Sequence, residues 1–266
     1  MSELVLWHIR VSHYSEKVRW ALDYKGIEHE RRAPMPSAHM VVALWLTRGG
    51  VKTFPVMRIG DETIGDSSAI IGALEKHFPE PALYPEDPVE RRRALDLEEF
   101  FDEQLAPQIR QLVWHEVSKE PERFVQVIGD TVPASLRRLP GSDAVLSAYA
   151  KAFVAIRFRA ASDAKAEESR AAVLTALDRL EEELDGNEYL VGERFSVADL
   201  TAAALFYPLA LPPEAPRQFA DAPAGFQAFR EPLMDRPGYR WVEQTYSRHR
   251  KRAAEPVTSP PSPARP

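Results

Sequence analysis

Hydrophobic and polar positions alternate in two distinct ways along this chain, and the change of pattern divides it. Leu4-Val5-Leu6-Trp7-His8-Ile9 is an apolar run of the length of a buried strand. From Ser15 the period becomes helical, with Val18, Ala21, Leu22 and Lys25 in phase and Gly26 as a C-terminal stop. A strand over 28–32 and a proline-bearing loop from Ala33 come next, and His39–Leu46 predicts a short second helix ended by Gly49-Gly50. Phe54 to Ile59 predicts a strand, Gly60-Asp61 a hairpin turn, and Glu62-Thr63-Ile64 the return strand. Ser67 or Ser68 then caps a helix carrying Ile70, Ile71 and Leu74. The order β-α-β-α-β-β-α over residues 1–80 predicts an α/β module on a small mixed sheet.

Residues 78–88 hold four prolines and predict an extended joint, with the linker proper at 81–88. From Val89 to Arg250 the pattern is almost wholly helical. A long amphipathic stretch spans 89–118, kinked at Pro107, followed by shorter helices near 121–138 and 142–159. Val173, Leu174, Leu177, Leu180 and Leu184 make one apolar face over 164–184, and a final helical pair spans 222–250. Ser196 and Asp199, three apart ahead of an apolar run, form a capping box with Phe195 and Leu200 as its hydrophobic staple. Residues 251–266, with five prolines and little apolar bulk, predict a disordered tail.

Composition narrows the chemistry. The 266 residues include no cysteine, which excludes disulfides, thiolate metal sites and a cysteine nucleophile. A net charge of −6 argues against nucleic acid as a partner. The start of the chain shows no basic segment ahead of a long apolar core, and no run approaches the roughly 20 apolar residues of a membrane span. The expectation is a soluble, cytoplasmic protein. No HExxH, glycine-rich phosphate loop or specific carboxylate pair is present, so no metal is expected.

Three separated segments carry the functional signal. Ser12-His13-Tyr14-Ser15-Glu16-Lys17-Val18-Arg19 lies between the first strand and first helix. Thr53-Phe54-Pro55-Val56 precedes Gly65-Asp66-Ser67-Ser68-Ala69-Ile70, and the box Ser196–Asp199 comes late in the helical half. In this order, with the proline-rich joint between them, they resemble the cytosolic glutathione transferase superfamily, serine-type, over nearly the whole chain except the tail. The resemblance implies a thioredoxin-like N-terminal domain with a mixed four-stranded sheet, an all-α C-terminal domain and a homodimer.

It also implies roles. Pro55 would be cis, with the backbone of Val56 beside Phe54 pairing with the cysteinyl unit of glutathione; an ordinary trans proline at a strand start is the other reading. Asp66 and Ser67 would hold the γ-glutamyl end, although both are also common helix caps. Lys52 or Thr53 would reach the glycyl carboxylate. Ser12 would donate to the glutathione sulfur; Ser12 or Ser15 as a plain cap is the alternative. Lowering a thiol pKa by two units requires about 2.7 kcal/mol. A hydroxyl bonded to a charged acceptor supplies about 1.5–3 kcal/mol, and a helix N-terminus about 0.3–1 kcal/mol. The sum suffices. His13 stands where such members often have proline and adds a titratable group, while Tyr14 offers a second hydroxyl. Arg110, Trp114 and His115 are expected to line an interdomain cleft for a small hydrophobic electrophile. The implied function is activation of the thiol of bound glutathione, a co-substrate, for attack on that electrophile. The alternative is a non-catalytic carrier of a hydrophobic ligand such as haem, with His115 toward its iron.

Overall fold

The computed structural model describes residues 4–34, 38–120, 162–216 and 222–250, with isolated positions between 141 and 152. Strands β1 (Leu4–Trp7), β2 (Glu30–Arg32), β3 (Val56–Ile59) and β4 (Glu62–Gly65) form one mixed sheet in the order β2-β1-β3-β4. β1 runs parallel to β2 and antiparallel to β3, which pairs antiparallel with β4 across the Gly60-Asp61 turn. Helix α1 (His13–Tyr24) and α3 (Ser67–His77) cover one face, and α2 (His39–Leu46) the other. Strand alternation explains the division: Leu6, Met57 and Ile59 face α1 and α3, whereas Val5, Trp7 and Val56 face Ala43 of α2. The mixed sheet and helical second half match the expected fold class.

The helical half comprises α4 (Pro88–Phe100), a π-helical turn over Phe101–Leu105, α5 (Ala106–Lys119), α6 (Asp163–Leu184), α7 (Val197–Ala210), α8 (Ala224–Arg230), a 3₁₀ turn over Glu231–Leu233, and α9 (Pro237–His249). Every residue of α7 is buried, and the helix packs against α1, α4, α5 and α9. An all-round apolar helix has no solvent face to offer, so it takes the centre. The core is therefore continuous from α1 and α3 through α7 into the helical half.

Local expectations are corrected in three places. The second strand begins at Glu30, not 28. The irregularity at Pro107 is a π turn lying just before it, where the Ala106 amide bonds the Phe101 carbonyl. Widening that turn accommodates a residue that has no amide hydrogen and whose ring crowds the preceding turn. The cap of α3 is Asp66, not Ser67 or Ser68. The helices expected near 121–138 and 142–159 fall almost wholly outside the described residues, as does the tail 251–266.

Candidate active site

The site begins where β1 ends. The chain turns over Ile9 to Ser12, with the Ser12 amide bonded to the Ile9 carbonyl at 3.1 Å. Ser12 is the N-cap of α1: its Oγ accepts from the Ser15 amide at 3.2 Å. Ser15 Oγ in turn accepts from the Ile9 amide at 3.2 Å. The adjacent Val11 carbonyl accepts from the buried Tyr207 hydroxyl of α7 at 2.7 Å. A hydroxyl that caps a helix uses only its oxygen, so the Ser12 hydrogen is left to donate at the positive end of α1.

Two neighbours behave otherwise than their residue types suggest. His13 is buried, and burial, assisted by the Arg110 charge, lowers its pKa to about 3. Its imidazole stays neutral, with Nε2 enclosed and without a hydrogen-bond partner. It is not a titrating group at neutral pH. The Tyr14 hydroxyl donates to the Asp102 carbonyl at 3.0 Å, and burial pushes its pKa up to about 12. Its proton is committed to the backbone, so it offers no second hydroxyl to a sulfur. Arg110 lies 6.0 Å over the Tyr14 ring, and the charges of Arg110, Asp102, Asp66 and Glu103 all act on that hydroxyl. Tyr14, Asp66 and Arg110 are thus brought together, along the start of α1.

The Phe54-Pro55 bond is cis. Val56, cast as the backbone partner of a ligand, lies within the sheet between Trp7 and Gly65. Phe54 is buried just outside that ladder, and Lys52 and Thr53 are exposed in the bend before it. Asp66 has φ of 75°, a conformation that favours glycine and costs about 1–3 kcal/mol in another residue. That backbone lets its Oδ1 accept from the amides of both Ser68 and Ala69, at 3.0 and 3.1 Å. Ser67, buried, is the first residue of α3, so its amide has no partner within the helix.

Arg110 and Trp114 are one helical turn apart on α5, both partly buried. His115 points elsewhere. Its Nδ1 lies 3.3 Å from Glu116 and its Nε2 3.0 Å from Asp163, at the start of α6. Its ring thus sits between two carboxylates at the junction of α5 and α6. Among the described residues no group of histidines and acids is arranged to hold a metal ion.

One part of the site escapes sequence reasoning. Lys17, on α1, has no exposed surface; its Nζ lies 2.9 Å from Ser68 Oγ, 2.8 Å from Glu98 and 2.5 Å from Asp102. Ser68 Oγ also donates to Asp102 at 2.6 Å. The cluster joins α1, α3, α4 and the π turn. A second buried network holds the chain before Ser12: Arg19 bonds Glu16, His8 Nδ1 and the Arg10 carbonyl, and Arg250 bonds Glu16 from the far end of the chain. The only sequence signal for either was the density of charge in Glu16-Lys17-Val18-Arg19, which reads equally well as a solvated face.

Residues 6–82 match the glutathione S-transferase N-terminal domain and residues 142–237 the glutathione S-transferase C-terminal domain. A glutathione S-transferase structure from Rhodospirillum rubrum F11 is 22% identical, covering 99% of this chain and 96% of that one, with a TM-score of 0.56. A theta class enzyme from Xanthomonas axonopodis pv. citri, solved with glutathione bound, is 20% identical over 91% of this chain and 98% of its own, also at 0.56. A curated relative, probable maleylacetoacetate isomerase 1 of Drosophila melanogaster, is 30% identical over 107 residues, which make up 39% of this chain and 44% of the relative. This chain therefore matches less than half the length of that relative. Both domain models occur in the expected order, on a sheet carrying a cis Phe54-Pro55 bond and an aspartate-capped third helix; the chain belongs to the glutathione S-transferase superfamily.

Proposed function

We propose that the protein is a serine-type glutathione transferase. Ser12 donates to the sulfur of bound glutathione, and the thiolate attacks a hydrophobic electrophile beside Arg110 and Trp114. The observation that carries this reading is the Ser12 hydroxyl, whose oxygen caps α1 while its hydrogen remains available. Asp66 suits the α-ammonium of the γ-glutamyl unit, and the Ser67 amide and hydroxyl suit its carboxylate. Phe54, outside the ladder, suits backbone pairing with the cysteinyl unit better than Val56, which has strands on both sides. Lys52 or Thr53 would meet the glycyl carboxylate. The sulfur forms the new bond, the leaving group departs with its electron pair, and the thiol proton goes to solvent. Holding both reactants together adds to thiolate activation. By family resemblance the working form is a homodimer.

The curated relative favours a second reaction at the same site. An isomerase uses the thiolate to add to a conjugated double bond, permits rotation, and then expels the thiolate unchanged. The carboxylates of Glu116 and Asp163 beside the two ring nitrogens of His115 count against the haem-carrier reading. Calorimetric titration with glutathione, with thiolate absorbance followed near 240 nm in wild type and Ser12→Ala, tests the site. Absence of binding at millimolar glutathione sinks it. Stoichiometric loss of glutathione during turnover identifies transfer, and unchanged glutathione identifies isomerisation.

A further inference from the structure

Helix α2 is apolar at seven of its eight positions, His-Met-Val-Val-Ala-Leu-Trp-Leu, yet it buries only His39 and Ala43. Met40, Val41 and Trp45 are 37%, 69% and 77% exposed. Val41, Leu44, Trp45 and Arg48 are spaced three and four apart, so they follow one face. Beside them opens a cleft of about 540 Å³, lined by Leu44, Trp45, Leu46, Arg48, Arg58 and Thr63.

The charge of this region is opposite to that of the molecule. The chain has 40 acids among 266 residues and a net charge of −6, but the 28 residues from Ala33 to Gly60 contain none. They contain Arg48, Lys52 and Arg58. Of the acids at the following turn, Glu62 faces His77 of α3, on the opposite side of the sheet. Arg58 and Arg32 each lie 5.4 Å over the ring of Trp7 on the α2 side.

We propose that this face docks the protein onto an anionic lipid surface. Trp45, Val41 and Met40 enter the interfacial layer, while Arg48 and Arg58, the cations lining the cleft, meet lipid phosphates. An exposed apolar face with cations at its edge is the pattern of a helix lying on a membrane, and an indole at that boundary has its apolar body buried and its N–H wet. A second copy seated patch on patch fits poorly, because that contact opposes like cations. A peptide partner fits less well than a bilayer, since the exposed Met40 and Val41 lie outside the cleft. The inference is independent of any thiol chemistry.

Co-sedimentation with phosphatidylcholine vesicles, with and without phosphatidylglycerol, tests it on the full chain. Binding is expected only with the anionic lipid, to weaken with salt, and to be largely lost in Trp45→Ser. Arg48 has φ of 51°, which asparagine tolerates, so Arg48→Asn removes the charge without strain and should weaken binding about fivefold. Unchanged melting temperatures show that both variants fold. No sedimentation at millimolar anionic lipid, equal binding to neutral vesicles, or unaltered binding by Trp45→Ser overturns the proposal. So does a dimer that dissociates in Trp45→Ser, which would make the patch a contact between copies.

Discussion

The ammonium nitrogen of Lys17 lies 2.9 Å from the hydroxyl oxygen of Ser68, tying the helix that starts at Ser12 to the helix that starts at Asp66. Any ligand that spans the two helix starts meets a spacing held by this buried contact. Glu98 and Asp102 complete the cluster from the helical half, so the same nitrogen joins both halves of the fold.

Removing Lys17 should therefore be costly. Lys17→Met leaves Glu98 and Asp102 facing each other around a vacated ammonium, and should destabilise the protein by about 3–5 kcal/mol. The triple change Lys17→Met, Glu98→Gln, Asp102→Asn removes the uncompensated charge and should recover part of that loss. Urea denaturation of the three proteins measures both. Equal stability of wild type and Lys17→Met would show that the cluster contributes nothing net.

On the proposed function Ser12 has two separable duties. As a cap it contributes about 1 kcal/mol to α1; as a donor it would hold a bound thiol ionised. Ser12→Ala should lose both, raising the pKa of bound glutathione by about 1–2 units. Ser12→Asp keeps a capping oxygen but has no hydrogen to donate when ionised, so it should retain stability and lose thiolate formation. Denaturation midpoints together with absorbance near 240 nm distinguish the two effects. If Ser12→Asp retains the thiolate, another group supplies it.

What could be read from the sequence was local. The start of α1, the hairpin at Gly60-Asp61, helix α2 and the Ser196–Asp199 box each rest on residues within a turn of one another, where spacing alone decides the outcome. What could not be read depends on distant partners. Lys17 is buried because residues 51 and 85 positions away surround its ammonium. His115 meets Asp163 because α6 begins beside it, 48 positions on. Tyr14 lost its availability to a carbonyl 88 residues on. Helix α2 shows the opposite failure: its apolar run reads as core, yet nothing among the described residues covers Trp45.

The Asp199 carboxylate serves three donors. It accepts from the Ser196 amide, the Ser196 hydroxyl and the Leu190 amide, each at 2.8 Å, with no exposure to solvent. Asp199→Ala leaves two buried amides without partners at about 1–3 kcal/mol each, and should lower stability by about 3 kcal/mol. Asp199→Asn keeps one accepting oxygen and should lose roughly half as much. The expected order on thermal melting is wild type, Asn, Ala. A neutral Ala variant would mean that water reaches these amides.

Buried histidines set the response to acid. His8 and His13 have pKa values lowered to about 2 and about 3 by burial, against 6.5 when exposed. Between those values the unfolded chain binds protons that the folded chain refuses, so stability falls as pH drops below 6.5, by at most about 1.4 kcal/mol per pH unit for each histidine. Asp199 acts in the opposite sense: burial raises its pKa from 3.8 to about 6, so the stability it contributes is present at low pH and is lost as pH rises through 6. Burial lowers the pKa of His29, His115 and His249 as well, so from about pH 6 to 4 the histidines together outweigh Asp199 and stability should fall as pH falls. Below about pH 4 Asp199 no longer opposes, and Glu16, held below the usual carboxylate range by Arg250 and Arg19 against the cost of its burial, protonates in the unfolded chain before the folded one and steepens the loss. His13→Leu removes one titrating group whose Nε2 has no bond to lose, so it should reduce the slope between pH 6 and 4 by up to about 1.4 kcal/mol per unit. Urea midpoints of both proteins at pH 7, 6, 5 and 4 give the two slopes. Parallel profiles would show that His13 is protonated in the folded chain, and with it that the start of α1 is open to water.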